Sequence, residues 1–323
     1  MNVRRRRFLQ LAAGLAAAPA VSRFAHAQAY PSRPIRFLVG FAPGNAPDIM
    51  ARLLGDFLAQ RLGQSFVIDN RPGAASSIAV EAAVNAHPDG YTVIMVVLTN
   101  ILNMTLYPNL RFSFLRDIAP IAGIADAPYL MMVHPSVPAK TVSEFVAYAK
   151  ANPGKINFAT GGKGSANHVF SEYFQRLTGI NVVHVPYRGS YMPDLLAGQT
   201  QAVIAPMPQS IAFHRSGELR TLGVSTSKRL ELLPDVPTIA ESVPGYEAVG
   251  WYGLGAPRNM PADVVTKLNG AMNDALKDEK LNARFTDMGI LPMALKPAAF
   301  GQFMHDEHQK WSKVIDESGI RPD

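Results

Sequence analysis

Between Pro34 and Arg71 the chain carries one strongly patterned unit. Ile35 to Phe41 is a run of strand-forming residues that opens into Ala42-Pro43-Gly44-Asn45-Ala46-Pro47-Asp48. Ile49, Met50, Leu53, Leu54, Phe57, Leu58 and Leu62 then recur at helical spacing, with Asp48, Arg52, Asp56 and Gln60 on the opposite face. A Gly-containing loop between a strand end and a helix start leaves backbone N–H groups unpaired. The helix N-terminus adds roughly half a positive charge, so the loop is a candidate anion site.

The same alternation runs through most of the sequence. Strands are expected at Phe66–Ile68, Thr92–Leu98, Tyr129–Val133, Ile156–Thr160, Val182–Val185, Ala202–Ala205, Leu219–Val224 and Val249–Ala256. Helices are expected near 76–87, 141–151, 165–178, 261–276, 280–288 and 297–318, with Thr141-Val142-Ser143-Glu144 as a capping box. This pattern predicts an α/β fold with mainly parallel sheets. Ala119–Val133 and Val249–Ala256 are the two extended stretches suited to carry the chain between lobes. Two crossings would place 28–126 and 251–323 in one lobe and 127–250 in the other, with a ligand cleft between them and hinge closure as the motion.

Residues 1–27 read as an export signal. Arg4-Arg5-Arg6-Arg7 precedes an apolar run of about 14 residues, too short to span a bilayer, and Ala25-His26-Ala27 marks cleavage after Ala27. The pair Arg5-Arg6 followed by Arg7-Phe8-Leu9-Gln10 resembles the twin-arginine signal. Loss of five arginines lowers the formal charge from +6 to +1, so no nucleic-acid partner is implied. The chain has no cysteine, which excludes disulfides and Cys-ligated zinc. A disulfide-free periplasmic protein of two lobes is the expectation.

A second loop repeats the logic of the first. Ile156–Thr160 runs into Gly161-Gly162-Lys163-Gly164-Ser165 and then into a helix with Val169, Phe170, Tyr173, Phe174 and Leu177 at core spacing. The glycines let N–H groups close on a ligand and Ser165 adds a hydroxyl; the register is not that of a P-loop. Two such loops, one per lobe, suggest an anion clamp. After Val182–Val185, Tyr187 is placed to stack on or bond a ligand, while Arg188 is equally well read as solvated. His168 either faces the cleft or caps and packs. His305-Asp306-Glu307-His308 lacks zinc spacing and reads as a solvated helical face. No G-x-S-x-G elbow or cleft-facing carboxylate pair is present, so no catalytic residue, metal or cofactor is assigned.

Several segments then converge on a known family. They are Tyr30-Pro31-Ser32-Arg33-Pro34-Ile35-Arg36, Phe41-Ala42-Pro43-Gly44, Asn70-Arg71-Pro72-Gly73-Ala74, Pro88-Asp89-Gly90-Tyr91-Thr92 and Pro138-Ala139-Lys140-Thr141. His184-Val185-Pro186-Tyr187-Arg188-Gly189, Leu233-Pro234-Asp235-Val236-Pro237-Thr238 and Gly319-Ile320-Arg321-Pro322-Asp323 complete the set. In these the chain resembles the Bug family, the extracytoplasmic solute receptors of tripartite tricarboxylate transporters. The resemblance implies a two-lobed periplasmic binding protein of type II-like build that closes on a small carboxylate and meets membrane transporter subunits as a monomer.

Carried over by position, the grip falls on Phe41, Ala42, Gly44 and Asp48 in one lobe and on Thr160, Gly161, Ser165 and Tyr187 in the other. Asn45, Asn100, Gly162, His168 and Met207 join the expected ligand contacts. The departures point toward specificity. The family's Gly-Gly-Gly-Thr-Asp loop here reads Gly44-Asn45-Ala46-Pro47-Asp48, and Pro47 removes an N–H. A common Asp-Asn strand end here reads Ala205-Pro206-Met207, and the turn from Tyr187 to Asp194 is about two residues shorter. A less polar pocket follows, suited to one carboxylate on an apolar or aromatic body. A periplasmic sensor and, further off, a secreted hydrolase are the alternatives.

Overall fold

A computed structural model describes residues 30–321; the signal and cleavage expected over 1–27 lie outside them. In chain order the elements are β1 (Ile35–Val39), α1 (Ala46–Leu62), β2 (Phe66–Asn70), α2 (Ser77–Val84), β3 (Thr92–Val97), α3 (Leu98–Leu106), α4 (Phe114–Asp117) and β4 (Ile118–Ala127). Next come β5 (Tyr129–Val133), α5 (Val142–Ala151), β6 (Asn157–Thr160), α6 (Ala166–Thr178), β7 (Val183–Pro186), α7 (Met192–Leu196), β8 (Ala202–Pro206), α8 (Met207–Ser216) and β9 (Arg220–Val224). The chain ends with β10 (Gly250–Pro257), α9 (Ala262–Ala275), α10 (Glu279–Asp287), β11 (Leu291–Leu295) and α11 (Pro297–Ser318).

Two sheets result, ordered β11-β4-β10-β3-β1-β2 and β7-β6-β8-β5-β9, each flanked by helices. The molecule is a two-lobed α/β protein. The expectation of mainly parallel sheets needs correction. β1 runs parallel to β2 and β3, and β6 parallel to β7 and β8, as crossover helices require. The pairs of β10 with β3 and β4, β11 with β4, and β5 with β8 and β9 are antiparallel. The reason lies in the connection between lobes. β4 carries the chain out and β10 brings it back, so they pair in opposite directions from Gly250↔Ala127 to Pro257↔Ile118.

Several features escaped the sequence pattern, β11, α4 and α7 among them. The strand ending near Leu98 turns into α3, with Asn100 Oδ1 accepting the Val97 N–H at 2.9 Å. Ala119–Val133 is two strands, β4 and β5, broken at Pro128. Residues 207–216 form α8 immediately after β8. The capping box at Thr141 forms by half: Thr141 Oγ1 accepts the Glu144 N–H, but the Glu144 carboxylate accepts from Lys140 N–H at 2.6 Å.

Close packing explains the composition of β10, Gly-Trp-Tyr-Gly-Leu-Gly-Ala-Pro, which is buried throughout. A Cβ on Gly250 would lie 2.7 Å from the Tyr129 ring, so glycine there lets the crossing strand meet the aromatic residue that begins the second sheet. Behind the cleft, α11 lies against β4 and α3, and its Trp311 stacks on Phe170 of α6 at 5.0 Å between ring centroids. Glu307, expected on a solvated face, instead accepts from the indole N–H groups of Trp251 and Trp311 at 3.1 and 3.2 Å.

Candidate functional site

Asn45 caps α1 in position but not by bonding. Its backbone is extended (φ −77°, ψ 159°), a proline follows in the first turn, and its side chain makes no cap bond. Its Oδ1 instead accepts from Gln209 Nε2 of α8 at 3.1 Å, across the cleft. Asp48, expected to grip ligand, is 2% exposed and fully engaged within its own loop. It accepts from Gly44 N–H (2.9 Å), Arg52 Nε and Nη2 (3.0 and 2.9 Å) and Asn70 Nδ2 (2.9 Å). Burial alone would raise its pKa; the bonds from Arg52, Gly44 and Asn70 outweigh burial and hold it below the usual range. Gly44 and Asp48 therefore shape the jaw instead of reaching into the cleft. Phe41 and Ala42 do line the cleft, and their N–H groups have no hydrogen-bond partner among the described residues.

The turn Gly73–Ser76 is a part of the site that the motifs did not reveal. Ala74, Ala75 and Ser76 hold φ of 45°, 47° and 72°, a left-handed run that non-glycine residues keep only when surroundings enforce it. Two buried asparagines on α3 enforce it. Asn103 Nδ2 donates to Ala75 O at 2.6 Å and Asn100 Nδ2 to Ser76 Oγ at 3.1 Å. Asn100 thus supports a lining turn and does not itself line the cleft. The available signal was Asn100 and Asn103 three apart on one helix.

In the other lobe, Gly161 lines the cleft while its N–H donates to Asn167 Oδ1 at 3.1 Å. The Ser165 hydroxyl lies within donating distance of Gly162 O (2.6 Å) and Asn167 Oδ1 (2.7 Å). The N–H groups of Gly162 and Lys163 remain without a partner among the described residues. Thr160 is fully buried beside Val185 O at 3.4 Å, and Met207 is fully buried, its N–H bonded to Pro128 O. Both stand behind the cleft; the residue of that strand end which reaches it is Pro206. Tyr187 lines the cleft and donates its hydroxyl to Asp194 at 2.7 Å; Arg188 lies beside it on the rim.

His168 turns away from the cleft. Its Nδ1 accepts from Gly164 N–H at 3.3 Å, and its Nε2 lies 3.8 Å from Glu172, which is 3.1 Å from His184 Nε2. The three could offer atoms to a cation within 4.8 Å of one another. Metal-bound imidazoles donate their other N–H to an acceptor. His168 Nδ1 faces a donor and His184 Nδ1 is buried without a partner, so neither ring has the outer acceptor that a metal ligand uses. Burial pushes both rings down to about 4, helped at His168 by His184 and Lys163, and pushes Glu172 up.

Between the lobes the cleft has two connected compartments that share Phe41, Asn45 and Gly161. The outer, about 280 Å³, is walled by 40–42, Asn45, 72–76 and 161–163, with Lys163 and Arg188 as its charged residues. The inner, about 50 Å³, carries no charged residue among those described and is walled by Phe41, Tyr129, Tyr191, Trp251 and Tyr252. The lobes touch at its edges: Ala166 N–H donates to Thr99 Oγ1 at 3.0 Å and the Tyr107 hydroxyl to Lys163 O at 3.1 Å.

Two lobes linked by a paired crossover and closed over a cavity walled from both sides define a solute-binding protein. The chain belongs to the tripartite tricarboxylate transporter family of receptors, whose family model matches residues 50–320. It is similar to BugT of Bordetella pertussis, 34% identical over 300 residues, covering 91% of this chain and 92% of that protein. Its fold matches an R. palustris protein solved with adipate (34% identity, TM-score 0.87, 90% of this chain and 99% of that one). It also matches MatC of Rhodopseudomonas palustris, solved with bound malate (31% identity, TM-score 0.85, 88% and 100%). Both of these neighbours were solved with a carboxylate bound.

Proposed function

We propose that this chain is a periplasmic receptor, exported by a twin-arginine signal and cleaved after Ala27, that delivers a small carboxylate to tripartite tricarboxylate-type membrane subunits. Residues 28–126 with 251–323, and 127–250, act as its two closing lobes; the division of strands between the sheets supports these limits. The observation that carries the reading is the partition of the cleft. Phe41, Ala42, Gly162 and Lys163, drawn from both lobes, line the outer compartment, and their N–H groups, without partners among the described residues, would receive a carboxylate there. Aromatic walls enclose the body of the ligand further in.

Neutral donors suit a protein that must also release what it binds. Each bond to a charged oxygen is worth about 1.5–3 kcal/mol, and several suffice for micromolar affinity with no buried ion pair to break. The relatives' adipate and malate support a carboxylate; the uncharged inner walls favour one carboxylate on an apolar or aromatic body. The receptor acts as a monomer.

A thermal-shift screen of the chain from residue 28 tests the proposal. A ligand present at 100 times its dissociation constant stabilises by about 2.7 kcal/mol. Aromatic and aliphatic monocarboxylates should give the largest shifts. Silence toward every carboxylate would end the receptor reading, and a citrate-only response would end the specificity reading.

A further inference from the structure

We propose that His168 is the residue that positions the second-lobe jaw, and that the grip is proton-sensitive because only a neutral His168 ring can hold Gly164. The inference rests on the receptor reading above and deepens it, by assigning control of ligand release to a side chain that lies behind the cleft.

The jaw does not hold its own shape. Gly162 and Gly164 have φ of 105° and 79°, a backbone that glycine enters and leaves freely, so the loop's form depends on what ties it down. Gly164 N–H donates to His168 Nδ1 at 3.3 Å. On the other side of the same peptide, Lys163 C=O accepts the Tyr107 hydroxyl of the first lobe at 3.1 Å. A trans peptide unit is planar, with N–H and C=O pointing opposite ways, so fixing one end aims the other. His168 thus aims a carbonyl that joins the lobes, and it steadies Gly162 and Lys163, which line the outer compartment. The lobes approach closely there: a Cβ on Gly164 would lie 2.9 Å from the Tyr107 ring.

The proton enters through the chemistry of imidazole. A backbone N–H only donates, so the bond from Gly164 requires a lone pair on Nδ1 and places the ring's hydrogen on Nε2. An imidazolium carries hydrogen on both nitrogens and offers no lone pair. Once protonated, the ring would face Gly164 donor to donor; the peptide would turn and its carbonyl would leave Tyr107. The charged and titratable groups around the ring are Glu172 and Arg176 of α6, Lys163 of the loop and His184 of β7. Glu172 is the only acid among them, and at 3.8 Å from Nε2 it is beyond hydrogen-bond reach. Burial first, then His184 and Lys163, push His168 down to about 4, so the closed form keeps the ring neutral. Release of the loop admits water, and the ring returns toward its ordinary 6.5. A proton therefore favours the open form while ligand favours the closed one. Affinity is complete above pH 6.5 and falls as pH drops toward 4.

The test begins without ligand, on the chain from residue 28. In nuclear magnetic resonance titrations from pH 7.5 to 4, the Gly164 amide should shift with the same midpoint as the His168 ring. The radius of gyration by X-ray scattering should rise over the same range. His168→Asn offers an acceptor near the place of Nδ1 without titrating, so its Gly164 amide should lose that midpoint. Binding is then measured by titration calorimetry with adipate and with hexanoate at pH 7 and pH 5. Setting wild type against His168→Asn at each pH removes the probe's own protonation. Between the two pH values the wild type should lose about threefold or more affinity beyond what His168→Asn loses. About twentyfold is the ceiling, for a ring that returns fully to 6.5 in the open form. A Gly164 amide that ignores the ring's titration would overturn the inference, as would equal losses in the two proteins. Should His168→Asn fail to fold, the wild-type titration decides alone. Silence of both probes at pH 7 counts against the receptor reading and leaves His168 to be judged by the ligand-free titration.

Discussion

Removing the Gln209 side chain probes how the two lobes are held together. Gln209 Nε2 donates to Asn45 Oδ1 at 3.1 Å, a side chain to side chain hydrogen bond across the cleft. The Thr99–Ala166 and Tyr107–Lys163 contacts each use backbone on one side. A neutral bond of this kind is worth about 1 kcal/mol net, so Gln209→Ala should cost the closed form about that much, close to fivefold in the closing equilibrium. With ligand bound between the lobes as proposed, its apparent dissociation constant varies inversely with the closed fraction. If the free chain is mostly open, the full fivefold appears in calorimetric affinity. If it is mostly closed, affinity moves less, and the loss appears instead as a larger radius of gyration by X-ray scattering. Freed of Gln209, Asn45 can cap α1, a contribution of about 1 kcal/mol. The same substitution strips the buried Tyr191 hydroxyl of its acceptor, so thermal stability should fall by about 1–3 kcal/mol less the cap's contribution, alongside the change in affinity or shape. In a double-mutant cycle with Asn45→Ala the coupling should be about 0.5–1.5 kcal/mol. Strictly additive effects on affinity, with an unaltered scattering profile, would refute the latch.

Two further outcomes follow from buried charge. Asp48→Ala removes the acceptor for Gly44, Arg52 and Asn70 together and should destabilise the fold by about 2–4 kcal/mol in urea unfolding; a loss under 1 kcal/mol would show the loop is held otherwise. His168 and His184 fall from 6.5 in the unfolded chain to about 4 when folded, so the folded state binds fewer protons between those limits. Stability is then complete above pH 6.5 and is lost as pH falls toward 4. The ceiling is about 3 kcal/mol per ring, reduced because Glu172, 3.1 Å from His184, becomes an ion partner as that ring charges. Melting curves from pH 7 to 4 for wild type and His184→Gln check this, and identical pH slopes would contradict it.

How much of the site was legible depends on where each partner lies in the chain. Phe41, Ala42, Asn45, Gly161, Gly162, Ser165 and Tyr187 stand in or beside turns that follow strands, and all line the cleft. Gly44 and Asp48 were expected in the carboxylate grip. They satisfy each other and Arg52 within eight residues, a local closure that motif position alone does not reveal. His168 and Met207 fell on the far side of their helix starts, a rotation set by packing against His184 and Pro128. Thr99, Asn167, Gln209, Trp251 and Tyr252 went unnoticed because none belongs to a Gly-rich loop; they enter through β3–α3, α6, α8 and the return strand.

By itself the sequence determined the α/β class, the two strand-to-helix loops, the two crossings and the family, since each is written in local periodicity or in contiguous motifs. Only the tertiary structure decided the rest. The antiparallel pairing of β4 with β10 follows from the chain leaving one lobe and returning, a relation between segments more than 120 residues apart. The left-handed turn at Ala74–Ser76 exists because Asn100 and Asn103 arrive from another helix to hold it. The inner compartment arises where the start of the second sheet, the return strand and two helix starts converge. No single stretch of sequence carries that meeting, because burial and hydrogen-bond satisfaction are properties of the assembled neighbours.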